Sequence, residues 1–146
     1  MTSRYAALSL FFMLLAVPAS AQVSAGVRVG ASLGPDQFYF GGHVETPPLA
    51  DQVTFRPNVE IGVGNNATVV AINFELAYKF LPQQEWHLYA AAGPALNIIN
   101  ANSNTSAQGG FTIGGGVEHR DGLFVEVKAG AINSPSFKIG IGYRFR

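Results

Sequence analysis

The last strand-like segment of the chain alternates strictly between two kinds of side chain. Phe137, Ile139, Ile141, Tyr143 and Phe145 fall on one face, and the residues between them are lysine, glycine and arginine. A period of two is typical of a β-strand, because successive side chains point to opposite sides. This segment is therefore predicted to be a strand with one apolar, aromatic face and one face of glycine and positive charge. The same alternation recurs along the chain.

The first 21 residues have the features of a secretory signal peptide. Arg4 precedes the apolar run 5–17, and Ala19-Ser20-Ala21 supplies the small residues of a cleavage site. The apolar run is short for a membrane-spanning helix, which is the alternative interpretation. The sequence thus predicts an exported protein with a signal peptide over 1–21 and a barrel domain over 22–146.

The low charge content restricts the class of protein. Charged residues make up 12% of the chain, against about 25% in an ordinary soluble domain. The 9 basic and 9 acidic residues balance, so nothing suggests nucleic acid as a partner. Cysteine is absent, which excludes a disulfide scaffold. No apolar segment after the signal reaches the length of a spanning helix. Alternating strands in lipid explain these facts together, because only every second residue must be apolar.

Eight strand-like segments can be drawn, separated by glycine, proline, asparagine and aspartate, which are turn-forming residues. The segments are 23–33, 37–46, 53–63, 67–80, 86–99, 110–119, 123–132 and 136–146, with a polar loop over 100–109. Lengths near ten suit tilted strands that cross a bilayer, and the even count suits a bacterial barrel. The predicted fold class is all-β, an eight-stranded antiparallel up-and-down transmembrane β-barrel. Pro57 and Pro94 fall inside strands, and we expect a bulge or irregular pairing at Pro94.

Alternation alone does not decide which face points outward. A soluble lipocalin-like barrel, with its apolar residues inside, is the alternative. The polar face is rich in glycine and poor in long charged side chains, which suits a narrow interior better than a wet exterior. Apolar-face aromatics also gather near strand ends, as in the two interfacial girdles of a membrane barrel. The predicted girdle residues are Phe38, Phe55, Tyr78, Phe80, Trp86, Phe111, Phe137, Tyr143 and Phe145. Only Tyr39, Tyr89 and Phe124 are aromatics on the polar face.

The polar face carries charges of both signs. An eight-stranded barrel is just wide enough for its own side chains to fill it. Charges confined there must pair, since an unpaired charge away from water is costly. We therefore expect a closed lumen filled by salt bridges, with a narrow ion-conducting pore as the alternative. The predicted lumen network is Arg28, Glu45, Arg56, Glu60, Glu75, Lys79, Glu118, Glu126, Lys128, Lys138 and Arg144.

The sequence offers little support for a metal, a cofactor or catalysis. His43, His87 and His119 lack the spacing of metal ligands. No nucleophile elbow is present, and the glycine run 114–116 lacks the strand-to-helix context of a phosphate-binding loop. We expect no catalytic residue, no metal site and no cofactor.

The predicted signal peptide, the eight alternating strands and the aromatic closing strand together resemble the small outer-membrane β-barrel proteins of the OmpA transmembrane and OmpX type. The resemblance covers about Val23 to Phe145. It implies an outer-membrane location and a structural or envelope-interaction role, with outer-membrane lipid and lipopolysaccharide as surroundings. It also implies a monomer inserted by the barrel-assembly machinery. Family members often end in an aromatic residue that this machinery recognises, whereas Phe145 here is followed by Arg146.

Some barrels of this class modify lipid A, so a deacylase-type enzyme is an alternative function. Such chemistry needs a Ser-His pair on the lipid-facing side near the outer leaflet. If both termini are periplasmic, all three histidines fall near the opposite rim, and we expect no enzymatic activity.

Overall fold

The computed structural model describes residues 23–34, 36–64, 67–132 and 135–145, and the predicted signal peptide lies outside these ranges. Every named element is a β-strand. The strands are β1 (Ser24–Leu33), β2 (Gln37–Glu45), β3 (Val53–Gly64), β4 (Ala67–Lys79), β5 (Trp86–Ala101), β6 (Asn104–His119), β7 (Leu123–Ala131) and β8 (Phe137–Phe145). None of the described residues belongs to a helix long and apolar enough to span a membrane.

The eight strands form a closed antiparallel barrel in sequence order. Each strand pairs with the next one along the chain, and β8 returns to pair with β1. Val29 shows the closure, because it lies opposite Phe40 on one side and Ile141 on the other. Closure satisfies the main-chain hydrogen bonds of both outer strands, which an open sheet would leave exposed. The predicted fold class is thus confirmed.

The polar faces of the strands point into the barrel and the apolar faces point outward. On β7, Phe124 and Glu126 are buried at 0% and 3% exposure, whereas Val125 and Val127 are each 44% exposed. Strands β2, β4 and β8 alternate in the same sense. The predicted orientation is confirmed. The lipocalin-like alternative, which requires the apolar residues inside, is wrong.

The two ends of the barrel differ. We call the end that holds Ser24 and Phe145 the terminal rim; the connections 46–52, 80–85 and 120–122 lie there. At the start of the connection 46–52 the β2–β3 register continues, because the Thr46 amide donates to the Phe55 carbonyl and the Phe55 amide donates to the Thr46 hydroxyl, each at 3.0 Å. The opposite end is the hairpin rim, where the β5–β6 hairpin projects.

The predicted polar loop over 100–109 is wrong, because most of it is strand. β5 and β6 each run for 16 residues and pair continuously from Trp86↔His119 to Ala101↔Asn104. Asn102 and Ser103 turn the hairpin with φ of 50° and 64°, the left-handed pair that a tight two-residue hairpin turn requires. Both faces of the projecting β6 segment are exposed, so its sequence shows no apolar alternation.

Pairing is interrupted at the two strand prolines. Between β4 and β5 the ladder stops at Asn73↔Ala95 and resumes in the same register at Leu76↔Ala92. The gap faces Pro94, so the predicted irregular pairing is found there without a register-shifting bulge. Pro57 pairs with Phe74 of β4, but the β2–β3 ladder is interrupted beside it after His43↔Asn58, and bonds in the same register return at Thr46 and Phe55. A missing amide donor accounts for both interruptions.

Candidate functional site

Three aromatic rings lie inside the lumen, and each lies directly across a ladder from a glycine. Phe124 faces Gly142, Tyr89 faces Gly116 and Tyr39 faces Gly30. A Cβ built on these glycines would lie 2.2 Å from Phe124 Cζ, 2.7 Å from the Tyr89 hydroxyl and 2.6 Å from Tyr39 Cζ. No real side chain tolerates such approaches. The inward-facing glycines therefore give the interior rings their room.

One set of ion pairs fills the lumen from its centre towards the hairpin rim. This central group comprises Arg28, Glu60, Glu75, Glu126, Lys128 and Lys138. Arg28 Nη1 lies 2.7 Å from Glu126, Lys128 Nζ lies 2.6 Å from Glu75, and Lys138 Nζ lies 2.5 Å from Glu60. Glu60 is also within 3.6 Å of Lys128 and 3.5 Å of Arg28. Three cations and three carboxylates balance here.

A second set of ion pairs, the terminal group, lies closer to the terminal rim. It comprises Glu45, Arg56, Lys79, Glu118 and Arg144. Arg56 Nη2 is 2.6 Å from Glu45 and 3.3 Å from Glu118, and Arg144 Nη2 is 2.9 Å from Glu118. Lys79 pairs with Glu45 and also lies 3.4 Å from Glu118. Here three cations share two carboxylates.

Two of the interior rings, those of Tyr89 and Phe124, lie between the two groups. The Arg56 guanidinium lies 4.6 Å from the centre of the Tyr89 ring, and that of Arg28 lies 5.5 Å from the centre of Phe124. The Tyr89 hydroxyl donates to Glu126 at 2.7 Å, which ties the ring to the central group. Such cation–π contacts gain strength when both partners are desolvated, so these rings separate the groups and also hold them in place.

Every residue of the predicted lumen network is thus placed in an ion pair inside the barrel. The partners were beyond sequence reasoning, because pairs such as Lys138–Glu60 join strands far apart in the chain. The roles of Tyr39, Tyr89 and Phe124 were likewise not apparent from the sequence. The sequence signal that indicates such an interior ring is an aromatic residue on the polar face of one strand together with glycines on the polar face of a neighbouring strand.

The predicted girdle residues lie on the outer surface near the two rims. Phe38, at 76% exposure, is at the hairpin rim, and Trp86 and Phe145 are about half exposed at the terminal rim. Neighbouring rings contact edge-to-face, with centroids 4.9 Å apart for Tyr78 and Phe80 and 5.4 Å apart for Tyr143 and Phe145. Aromatic residues form such belts in membrane barrels, because their rings are stable at the interface between lipid and water.

The three histidines lie towards the terminal rim. His43 and His87 are buried in the lumen, and His119 contacts Glu85 and Asp121 at 3.1 Å and 3.4 Å. Within the described ranges no three histidine, aspartate or glutamate side chains group as metal ligands would.

The lumen is packed unevenly between the two ends. A cavity of only about 10 Å³ lies near Gln37, Tyr39 and Lys138 towards the hairpin rim. A cavity of about 280 Å³, which we call the mouth cavity, lies at the terminal rim beside Glu45, Lys79 and Arg144. Of these two cavities, the larger therefore lies at the terminal rim.

Two solved structures of β-barrels from the bacterial outer membrane are similar to this chain. The N-terminal β-barrel domain of Pseudomonas aeruginosa OprF is similar with a TM-score of 0.67 and 17% identity, over 84% of this chain and 96% of that one. Neisserial surface protein A is similar with a TM-score of 0.66 and 14% identity, over 84% of this chain and 94% of that one. No family model and no curated protein matches the chain. The likeness shows that the chain has the fold of the small outer-membrane barrels.

Proposed function

We propose that this chain is an integral outer-membrane barrel with a structural and envelope-interaction role and a lumen that does not conduct ions. The single observation that carries the proposal is the pairing of all eleven predicted lumen charges inside the barrel, around the rings of Tyr39, Tyr89 and Phe124. Opening a continuous water path would separate buried partners, and each broken pair is expensive. The apolar outer face supports lipid and lipopolysaccharide as surroundings.

Recording from the refolded barrel in a planar bilayer tests the closed lumen. The wild-type protein is expected to give no stable unitary current steps. A double variant, Arg56→Ala with Phe124→Ala, removes a guanidinium and a ring from the middle of the lumen and serves as the conducting control, once its folding has been checked. Stable unitary steps from the wild-type protein would contradict a sealed barrel.

We propose that the hairpin rim faces the cell exterior and the terminal rim faces the periplasm. The 16-residue strands β5 and β6 exceed the ~9–11 residues that a tilted strand needs to cross hydrocarbon, so their hairpin projects beyond the bilayer. Longer extensions are usual on the extracellular side.

Labelling of single-cysteine variants tests this orientation. The chain has no cysteine, so single-cysteine variants at the two ends can be compared. Ser103→Cys is expected to react with a membrane-impermeant maleimide on intact cells, and Gln84→Cys only after the outer membrane is opened. The reverse pattern would invert the topology.

The projecting edge of β6 is the proposed interaction surface. Residues 104–108 pair with β5, and they lie beyond the start of the β6–β7 ladder at Phe111↔Ala131. The segment carries no charge and no proline, the usual protections of an edge strand. Unpaired main-chain groups on such an edge accept a strand from a partner. The partner proposed here is thus one that binds through its backbone and needs no aromatic anchor.

Site-specific photo-crosslinking in native outer membranes tests this surface. A photoreactive residue at Ser106 is expected to give a defined protein adduct. The same residue at Leu88, on the lipid-facing side of the same hairpin, is the matched control and is expected to give none. A missing adduct at position 106, or identical adducts at both positions, would refute the interaction role while leaving the sealed barrel intact.

The proposal assigns no catalytic role to the chain. Incubation of the refolded protein with lipopolysaccharide, followed by mass spectrometry of lipid A, is expected to show unchanged acyl chains. Loss of an acyl chain would favour the deacylase alternative.

A further inference from the structure

The mouth cavity combines empty volume with buried polar groups. About 280 Å³ lies open at the terminal rim, bounded by Glu45, Lys79 and Arg144 from three different strands and by Thr54 of β3. The connection 46–52 contributes Pro47 and Pro48 to its rim. Both prolines restrict the backbone of that connection. The cavity is thus a walled recess with access from the rim.

The terminal group beside the cavity has more positive than negative charge. Arg56, Lys79 and Arg144 share only Glu45 and Glu118, whereas the central group balances three cations with three carboxylates. The acidic residues Glu85 and Asp121 of neighbouring connections are 65% and 72% exposed and do not line the cavity. One unit of positive charge in a partly buried site attracts an anion.

Two buried hydrogen-bond donors belong to residues that line the same cavity. Thr54 is 3% exposed and lines the recess, yet its hydroxyl has no hydrogen-bond partner among the described residues. Arg144 also lines the recess, and its Nε is likewise buried without such a partner. Buried hydroxyl and guanidinium groups normally form hydrogen bonds, because burying such a group without a hydrogen-bond partner is costly. Two buried donors that lack acceptors among the described residues therefore belong to side chains that line a cavity whose surroundings have excess positive charge.

We propose that the mouth cavity binds a small oxyanion, the carboxylate or phosphate group of a molecule that reaches the terminal rim. Lys79 and Arg144 supply the charge, and the Thr54 hydroxyl and Arg144 Nε supply directed donors. Glu45 competes with the ligand, because it already accepts from Lys79 and Arg56. The cavity volume admits a small organic acid or phosphate. This site depends neither on the closed lumen nor on the orientation of the barrel in the membrane.

Isothermal titration of the refolded protein in detergent micelles tests the site, with inorganic phosphate in one arm and acetate in the other. Saturable binding of either anion is expected, and the two arms assign the preferred group. Thr54→Val keeps the shape of the side chain and removes the donor, so we expect about ten-fold weaker binding, as for loss of a hydrogen bond to a charged group. Lys79→Gln is expected to weaken binding further.

Glu45→Gln provides a test of opposite sign, because removing the competing carboxylate is expected to tighten binding several-fold. Lys138→Gln, in the central group, is the matched control and is expected to leave the affinity unchanged. Circular dichroism and heat-modifiable migration check that each variant folds. No saturable binding of either anion to the wild-type protein would overturn the proposal, as would affinities that Thr54→Val and Glu45→Gln both leave unchanged.

Discussion

Phe124 of β7 and Gly142 of β8 lie directly opposite each other inside the barrel, so close that a Cβ on the glycine would lie 2.2 Å from Phe124 Cζ. The ring is 0% exposed and packs against Tyr89 and two interior alanines. A side chain at Gly142 would therefore collide with this buried ring. The glycine is therefore a packing requirement of the interior ring.

Gly142→Ala is expected to destabilise the barrel by about 1–3 kcal/mol or more, the range for overpacking a filled core. The measurement is the urea midpoint of unfolding in lipid vesicles, followed by heat-modifiable migration. Gly109→Ala is the matched control, because a Cβ there meets nothing within 4 Å. Combining Gly142→Ala with Phe124→Leu should recover part of the loss. Equal midpoints for the two single alanine variants would contradict the steric account.

Glu60 connects three cations of the central group, at 2.5 Å from Lys138, 3.5 Å from Arg28 and 3.6 Å from Lys128. Glu60→Gln leaves those buried charges short of a carboxylate, and we expect a loss of about 3–5 kcal/mol in the free energy of unfolding. Chemical denaturation of the refolded barrel measures it. Glu85→Gln, which changes a carboxylate that is 65% exposed, should have an effect near zero. A loss of similar size in both variants would argue against the central group as a stabilising network.

Local alternation was enough to predict the strands, whereas their inward and outward faces followed from the glycine-rich polar face and the aromatic girdles, and the irregularity at Pro94 followed from its missing amide donor. Alternation failed for the projecting part of β6, because residues 104–109 are exposed on both faces and have no apolar side to mark them as strand. It also left the ion-pair partners undetermined. The contact between Lys138 and Glu60 depends on how strands β8 and β3 are placed around the closed barrel, and no local pattern carries that information. The mouth cavity was missed for a related reason, since its lining comes from separate strands and from the connection 46–52.

Ser103 turns the β5–β6 hairpin with φ of 64°, a conformation that is unfavourable for a residue with a Cβ. Ser103→Gly removes the strain and is expected to stabilise the projecting hairpin by about 1 kcal/mol. Hydrogen exchange of the amides in residues 97–108 measures the change, which should appear as slower exchange there and nowhere else. Ala107→Gly, within the exposed strand, is the control and should speed exchange because glycine weakens a strand. Slower exchange in Ala107→Gly, or unchanged exchange in Ser103→Gly, would count against this turn geometry.

Ile141 lies midway along β8 on the outer face, 47% exposed and flanked by Val29 and Val125. In a membrane-spanning barrel this position is near the bilayer midplane. Ile141→Arg is therefore expected to cost about 2–4 kcal/mol in the free energy of folding into vesicles, whereas Leu33→Arg, at the hairpin rim, should cost about 0–1 kcal/mol. Folding titrations in vesicles of one lipid composition compare the two. In detergent micelles, which adapt around a charge more readily than a bilayer, the difference should shrink. Equal costs at the two positions in vesicles would mean that the outer face of the barrel does not lie across a hydrocarbon layer.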